Sequence, residues 1–352
     1  MNNVERLLAF LKSSFLGPLI EDDFITDISY NGQYLHYVHN LYGRKRYDPI
    51  IEQEEVVSFL RQIANLSEQH FSYSQPILDV SIGHYRLNAI GLAIARLDYQ
   101  KTVTFSLRIG KAKQDHKVIK FQPEPALDHL FRALVKGGIS IVIAGKTGSG
   151  KTEFQKYLIS IMNTFARIIV IDNVLELEAI VSENPLDVNI WQVNSQLHKA
   201  DFSSLIENAL RSHPDWIIVA EARGGEMQEA LMAAMTGHPI ITTVHSLDIA
   251  TLPMRMARMV ISKQTTLRYA ETLADIKDHF PILVYLRKRE NEQGHIIREI
   301  EAIGEMRSSA HKIKLIYQWD GTHAKFSKIS PKLMKKLPLN SLENTPFVNK
   351  DS

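Results

Sequence analysis

The 352-residue sequence contains no cysteine. That one absence removes disulfide frameworks, thiolate zinc sites and cysteine nucleophiles together, and it agrees with a reducing compartment. Long apolar runs are missing as well. Ile139 to Ala144 and Ile282 to Leu286 fall far short of the roughly 18 residues that read as a membrane span, so they read as buried strands. There is no excess of charge of one sign: 41 Lys and Arg face 39 Asp and Glu, a formal charge of +2. No global field therefore draws the chain onto nucleic acid or lipid, and any such contact needs a local patch. The opening Met-Asn-Asn-Val-Glu-Arg lacks the basic start, apolar centre and small-residue cleavage site of a signal peptide, and the expected compartment is the cytoplasm. No internal repeat or low-complexity tract is visible.

What is present is a globular composition, 45% hydrophobic and 23% charged, and enough length for two domains of roughly 150 residues each. Leu7, Leu8, Leu11 and Phe15 recur at helical spacing and predict an amphipathic helix over residues 4–15, packed on a core. From Thr26 to Leu107 short alternating stretches, such as 84–90 and 102–107, are separated by turns at Asn31-Gly32 and Gly43; they predict a small mixed sheet. Residues 108–125 change character. Five basic side chains (Arg108, Lys111, Lys113, Lys117, Lys120), weak apolar periodicity and prolines at 123 and 125 predict a linker. From 126 to 324 the order helix, apolar strand, glycine turn, helix, apolar strand predicts an α/β domain on a mainly parallel sheet. Residues 282–288, 296–303 and 312–319 read as antiparallel strands appended to it. The stretch 325–352 carries five lysines before its first acid and predicts a short helix and a frayed basic tail.

The strongest motif is Gly145-Lys146-Thr147-Gly148-Ser149-Gly150-Lys151-Thr152, a full G-x-x-x-x-G-K-[ST] pattern between the apolar strand 139–144 and the helical run 153–162. The order follows from the chemistry. Glycines let successive backbone N–H groups turn inward around a β-phosphate at the positive end of the next helix. Lys151, otherwise expected to face solvent, reaches the β- and γ-phosphates, and the Thr152 hydroxyl can ligate Mg²⁺. Two apolar stretches end in acids beside this loop: 167–171 in Asp172, with Glu176 beyond it, and 215–220 in Glu221. Carboxylates at the ends of parallel strands are placed to hold Mg²⁺ or a water. Read alone, each is equally an ordinary strand-end acid facing solvent.

These residues resemble the secretion traffic ATPases of type II and type IV secretion, type IV pilus assembly and conjugation, and most of all the type IV secretion and conjugation branch. Besides the phosphate loop, the family's acidic box is matched by Ile171-Asp172-Asn173-Val174-Leu175-Glu176. Its Walker B region is matched by Leu210-Arg211-Ser212-His213-Pro214-Asp215 through Glu221-Ala222-Arg223, and its histidine box by Thr236-Gly237-His238 through Thr243-Val244-His245. Shorter matches at 26–32, at 76–79, at Arg86 and at 106–108 extend the likeness over about residues 20 to 305. Three positions depart from the pattern. The acidic box opens Asp172-Asn173 in place of Glu-Asp, and Ala220 and Ile240 stand where glycines are usual.

The resemblance implies an α/β, RecA-like P-loop ATPase domain at 126–324, preceded by a smaller α+β mixed-sheet domain at 1–107. It implies ATP and Mg²⁺ as cofactors, with Glu221 polarising the attacking water and Asp172 and Glu176 supporting the metal or that water. His245 and His238 would sense the γ-phosphate, and Arg86 and Arg108 would neutralise phosphate charge; core histidines and solvated arginines are the plain alternatives. It also implies a homohexameric ring at the inner face of the membrane, serving secretion, conjugation or pilus machinery. Other classes stay open. A P-loop kinase leaves the 236–245 box unexplained, and a nucleotide-gated scaffold follows if the altered acidic box has abolished turnover. Direct nucleic-acid handling is motivated by the basic runs 108–120 and 325–336, but these lack a ladder of stacking aromatics.

Overall fold

A computed structural model describes residues 3–82, 85–110, 125–173, 175–178, 186–194, 197–263, 267–307, 313–338, 340, 342–343 and 345–348. His84, Val174 and the linker positions 111–124 lie outside the described residues. The chain forms two compact units. The first is Met1–Lys113 with Val174–Glu176 and Glu290–Ile296; the second is Gln114–Asn173 with Leu177–Arg289 and Ile297–Ser352.

In the first unit, helices α1 (Asn3–Ser13), α2 (Gly17–Glu21) and α3 (Gln53–Leu66) accompany strands β1 (Ile25–Tyr30), β2 (Leu35–His39), β3 (Gly43–Arg46), β4 (Ile77–Ile82) and β5 (Tyr85–Ile90). A short ribbon of β6 (Arg96–Leu97) and β7 (Gln100–Lys101) follows, then β8 (Thr104–Ile109). The main sheet runs β3-β2-β1-β8-β5-β4. Where the sequence predicts a mixed sheet, every described pairing is antiparallel. The links between β1 and β2, β2 and β3, and β4 and β5 are far too short for the crossover a parallel pair requires. One face packs on the helices. Val56, Phe59, Leu60, Ile63 and Ala64 form a buried stripe on α3 against Ile28, Leu78, Leu87 and Leu107, and Phe10, Phe15 and Phe105 gather around Phe59. Period-two alternation turns Arg86, Asn88, Ser106 and Arg108 to the other face.

The second unit contains α4 (Pro125–Lys136), β9 (Ile141–Gly145), α5 (Lys151–Ser160), β10 (Arg167–Asp172), β11 (Asp187–Gln192), α6 (Phe202–Leu210), β12 (Trp216–Val219) and α7 (Glu226–Met235). It continues through β13 (Ile240–His245), α8 (Leu252–Lys263), α9 (Tyr269–His279), β14 (Ile282–Glu290), β15 (Ile296–Glu305), β16 (Lys314–Trp319), β17 (Ala324–Phe326) and α10 (Pro331–Met334). The sheet order is β11-β10-β12-β13-β9-β14-β15-β16-β17. Alternate residues of the parallel strands feed two separate cores. Ile141, Ile143, Ile168, Val170, Ile218 and Ile241 join α4 and α5 on one side. Val142, Ala144, Ile169, Ile171, Ile217 and Val219 join α6, α7 and α8 on the other. Burial on both faces is why these strands read as continuous apolar runs.

Two expectations are corrected here. β14, expected as the first antiparallel addition, pairs parallel with β9, Ile282 opposite Ile141, because α9 returns the chain to the starting edge of the sheet. The antiparallel extension comprises β15, β16 and β17. The stretch beyond 325, expected to fray, places Leu333, Leu337, Leu342 and Phe347 in the first of the two cores.

Candidate phosphate-binding and catalytic site

The loop between β9 and α5 is shaped by glycines that the backbone requires. Gly148 and Gly150 have φ of +73° and +94°, which L side chains rarely adopt. At Gly145 a Cβ would stand 2.5 Å from the Leu286 carbonyl and 2.5 Å from Ser149 Oγ. Gly150 then caps α5, whose first amides have no partner within the helix and form an anion-binding end.

Lys151 does not face solvent. It is 8% exposed, and its ammonium donates to the carbonyls of Gly145 and Lys146, both at 3.2 Å. His245 Nδ1 lies 3.2 Å from the same nitrogen, since His245 ends β13 directly opposite Gly145 in the ladder. On its other side, His245 Nε2 is 2.9 Å from Glu221 Oε1, close but bent away from good hydrogen-bond alignment. Arg223 donates to Glu221 Oε2 at 2.8 Å. An ammonium offers only hydrogens, so Nδ1 is the accepting nitrogen and the proton resides on Nε2, facing the carboxylate. Burial and then the Lys151 charge push the His245 pKa down, against the upward pull of Glu221, which favours this neutral ring. For Glu221, burial pushes upward, but the hydrogen bond and charge of Arg223, with His245 and Lys151, outweigh it and hold the acid below its usual range. The carboxylate is ionised and the imidazole neutral.

These groups converge because β10, β12, β13 and β9 are parallel neighbours that end on one edge of the sheet, the position where open α/β sheets bind ligands. Asp172 ends β10 and is 4% exposed. Glu221 lies two residues past β12, and Thr152 sits half-buried in the first turn of α5.

Other expected residues lie elsewhere. His238 precedes β13, where Thr236 Oγ1 is its 2.9 Å neighbour. The length of β13 separates it from the loop edge by about 17 Å at 3.3 Å per residue, so within this chain the two histidines are not brought together. Glu176 groups with the first unit, where Arg108 Nε meets its Oε1 at 2.9 Å. Arg86 lies opposite Arg108 across β5 and β8 and pairs with Asp79 at 3.1 Å. Two of the three departures from the family pattern are accommodated in the sheet. Ile240 is fully buried opposite Ile217, and Ala220 continues the ladder, its N–H donating to the Ile171 carbonyl at 3.0 Å.

Flanking the Walker B acid, Arg211 and Arg223 read from the sequence as candidate structural ion-pair partners, and of these Arg223 pairs with Glu221; sequence reasoning passes over Arg298, whose Nε donates to the Gly148 carbonyl at 2.9 Å. No motif joins positions 150 residues apart; only the fold does.

Residues 88–278, more than half of the chain, match the family described as Type II/IV secretion system protein. An uncharacterized protein of Bacillus anthracis is 29% identical over 269 residues, covering 73% of this chain and 59% of that relative, so the chain spans less than two thirds of its length. The type IV secretion system protein VirB11 of Bartonella henselae is 24% identical over 267 residues, 66% of this chain and 75% of the relative. Among solved structures, the Yersinia pseudotuberculosis ATPase DotB superposes with a TM-score of 0.60 at 17% identity, covering 88% of this chain and 80% of that one. That likeness concerns the fold.

Proposed function

The chain belongs to the family of type II/IV secretion system proteins, and on that premise we propose that it is a Mg²⁺-dependent ATPase whose turnover drives a secretion, conjugation or pilus-assembly machine. The observation that supports this reading best is the run of contacts from the loop lysine through His245 to Glu221. It ties the group that meets phosphate to the group that would orient water. Named relatives are similar to this chain in family and fold: VirB11 is a type IV secretion system protein and DotB an ATPase.

The residues fit a magnesium nucleotide. The glycine turn and the start of α5 suit phosphate oxygens. In this reading Thr152, phosphate and water would hold the ion, with Asp172 at the end of β10 as the proposed carboxylate. Bound there, the ion would neutralise charge on the transferring phosphoryl group. Lys151 trades its loop carbonyls for phosphate oxygens, and the ionised Glu221 accepts a hydrogen bond from the attacking water and aligns it. His245 Nε2 faces Glu221 and its Nδ1 accepts from Lys151, so a shift of the lysine toward phosphate alters what the ring presents to the carboxylate. In this reading Arg86 and Arg108 supply charge to the transition state, either within one chain or across a ring of identical chains. Among the described residues no helix is long and apolar enough to cross a membrane, and the machinery at the inner face is the proposed partner.

The test is ATP binding and phosphate release by the parent chain and by Lys151→Ala. Lys151→Ala is expected to lose most affinity while remaining folded; equal affinity by calorimetry would sink the phosphate-loop reading. Tight ATP binding by the parent with no phosphate release favours the nucleotide-gated scaffold, for which the Asp172-Asn173 box is the motive.

A further inference from the structure

We infer that Arg298 is a positioning residue for the phosphate loop, holding the 148–149 peptide in the orientation that phosphate binding needs. This rests on the nucleotide-site reading above and adds to it a residue from the antiparallel extension. Arg298 is 7% exposed on β15, and its Nε–H donates to the Gly148 carbonyl at 2.9 Å. The N–H of the same peptide, on Ser149, donates to the Lys146 carbonyl at 3.2 Å. The plane is therefore pinned from both sides. The Lys146 carbonyl also receives the Lys151 ammonium, so the arginine, the peptide and the catalytic lysine form one hydrogen-bonded series. Gly148 is itself exposed and has φ +73°; a freely rotating peptide there would leave the following amides, at the start of α5, without a fixed aim.

The placement carries a desolvation cost. Burial pushes the Arg298 guanidinium pKa down while the charge of Glu153 pushes it up, and taking a cation out of water costs free energy that the contacts around it must offset. An arginine kept for the fold and one kept for the loop therefore predict different phenotypes. The neighbouring strand contributes to the same loop: the Leu286 carbonyl abuts Gly145, and Lys288 Nζ stands 3.7 Å from where a Cβ of Gly148 would be. β14 and β15 thus both reach the loop.

The experiment compares the full chain with Arg298→Met and Arg298→Lys, measuring the melting temperature without ligand and the Kd for ATP and for pyrophosphate. Arg298→Met is expected to melt within a few degrees of the parent and to bind both probes about tenfold more weakly, a change of 1.4 kcal/mol; Arg298→Lys should fall between. Pyrophosphate isolates the loop, so a loss seen with ATP but not with pyrophosphate would overturn the inference, as would parent-like affinity for both. If Arg298→Met does not fold, Arg298→Lys decides: threefold or greater weakening supports the assignment and parent affinity overturns it. Lys151→Ala separates the two readings. If it binds like the parent, the phosphate-loop reading fails; if it loses binding while the folded Arg298 variants keep theirs, only the Arg298 inference fails.

Discussion

Replacing Glu221 by Gln removes one negative charge from the site and keeps its shape, and the structure fixes how the amide would settle. Both carboxylate oxygens face donors, Arg223 at Oε2 and His245 at Oε1, so the new NH₂ must oppose one of them. The Arg223 side chain is 56% exposed and water can replace its partner, whereas His245 is fixed by Lys151 on its far side. The amide oxygen should therefore stay with His245 and the NH₂ turn to Arg223, at a cost to folding of about 1 kcal/mol or less for an exposed pair. Binding survives because Lys151 and the glycine turn are untouched. Turnover does not, since a neutral amide cannot orient water as a carboxylate does, and a fall of about 10² to 10⁴ is expected. Single-turnover phosphate release at saturating ATP and Mg²⁺, beside a calorimetric Kd, measures both quantities. If Glu221 and His245 act as a unit, the double variant Glu221→Gln, His245→Gln loses no more than the worse single. Turnover within about threefold of the parent, or losses in the two singles that simply multiply, would refute the reasoning.

Turnover should also fall on the acid side below the ordinary histidine pKa of 6.5, as the ring gains a second proton and can no longer accept from Lys151; a limb that persists unchanged in His245→Gln contradicts this. For stability the sign is the same. The native ring resists protonation, so its contribution declines as pH falls through the window just under 6.5. Gly145→Ala places a methyl against the Leu286 carbonyl at φ +154°, costing about 1–3 kcal/mol in backbone strain alone, and the expected result is a lowered denaturant midpoint together with lost ATP affinity. Phe347→Ala, at a site with no exposed surface and an edge contact to Phe326, should cost about 3–5 kcal/mol. An unchanged midpoint there would return the C-terminal stretch to the status of a frayed tail.

The phosphate loop was legible because its chemistry is local: a strand, eight residues and a helix carry the whole signal. Asp172 and Glu221 were legible as strand-end acids for a similar reason, since both-face burial makes each parallel strand a plain apolar run whose end is easily found, whereas His245 came from the family resemblance alone. The direction of β14 was not. Ile282 to Leu286 reads the same in a parallel or an antiparallel partner, and only the return path of α9 decides. His238 and His245 share one box in the sequence but lie toward opposite ends of the strand between them, a separation that spacing in a motif does not express. Leu337, Leu342 and Phe347 follow neither helical nor strand period, so their burial depends on the core they cover. Arg298 illustrates the same limit at the site itself.

The position of β9 bears on how the chain is made. This strand is the innermost support of the loop, yet the two strands that close its edges arrive late: Ile141 waits for Ile241 on one side and for Ile282 on the other. At a synthesis rate of about 5–20 residues per second, the first partner follows by about 5–20 s and the second by about 7–28 s. For that interval an apolar strand leaves the ribosome with both rows of peptide groups unpaired, a state that invites association with other nascent chains. Nascent-chain protection of this segment, and not only the stability of the finished sheet, should therefore govern the yield of folded protein.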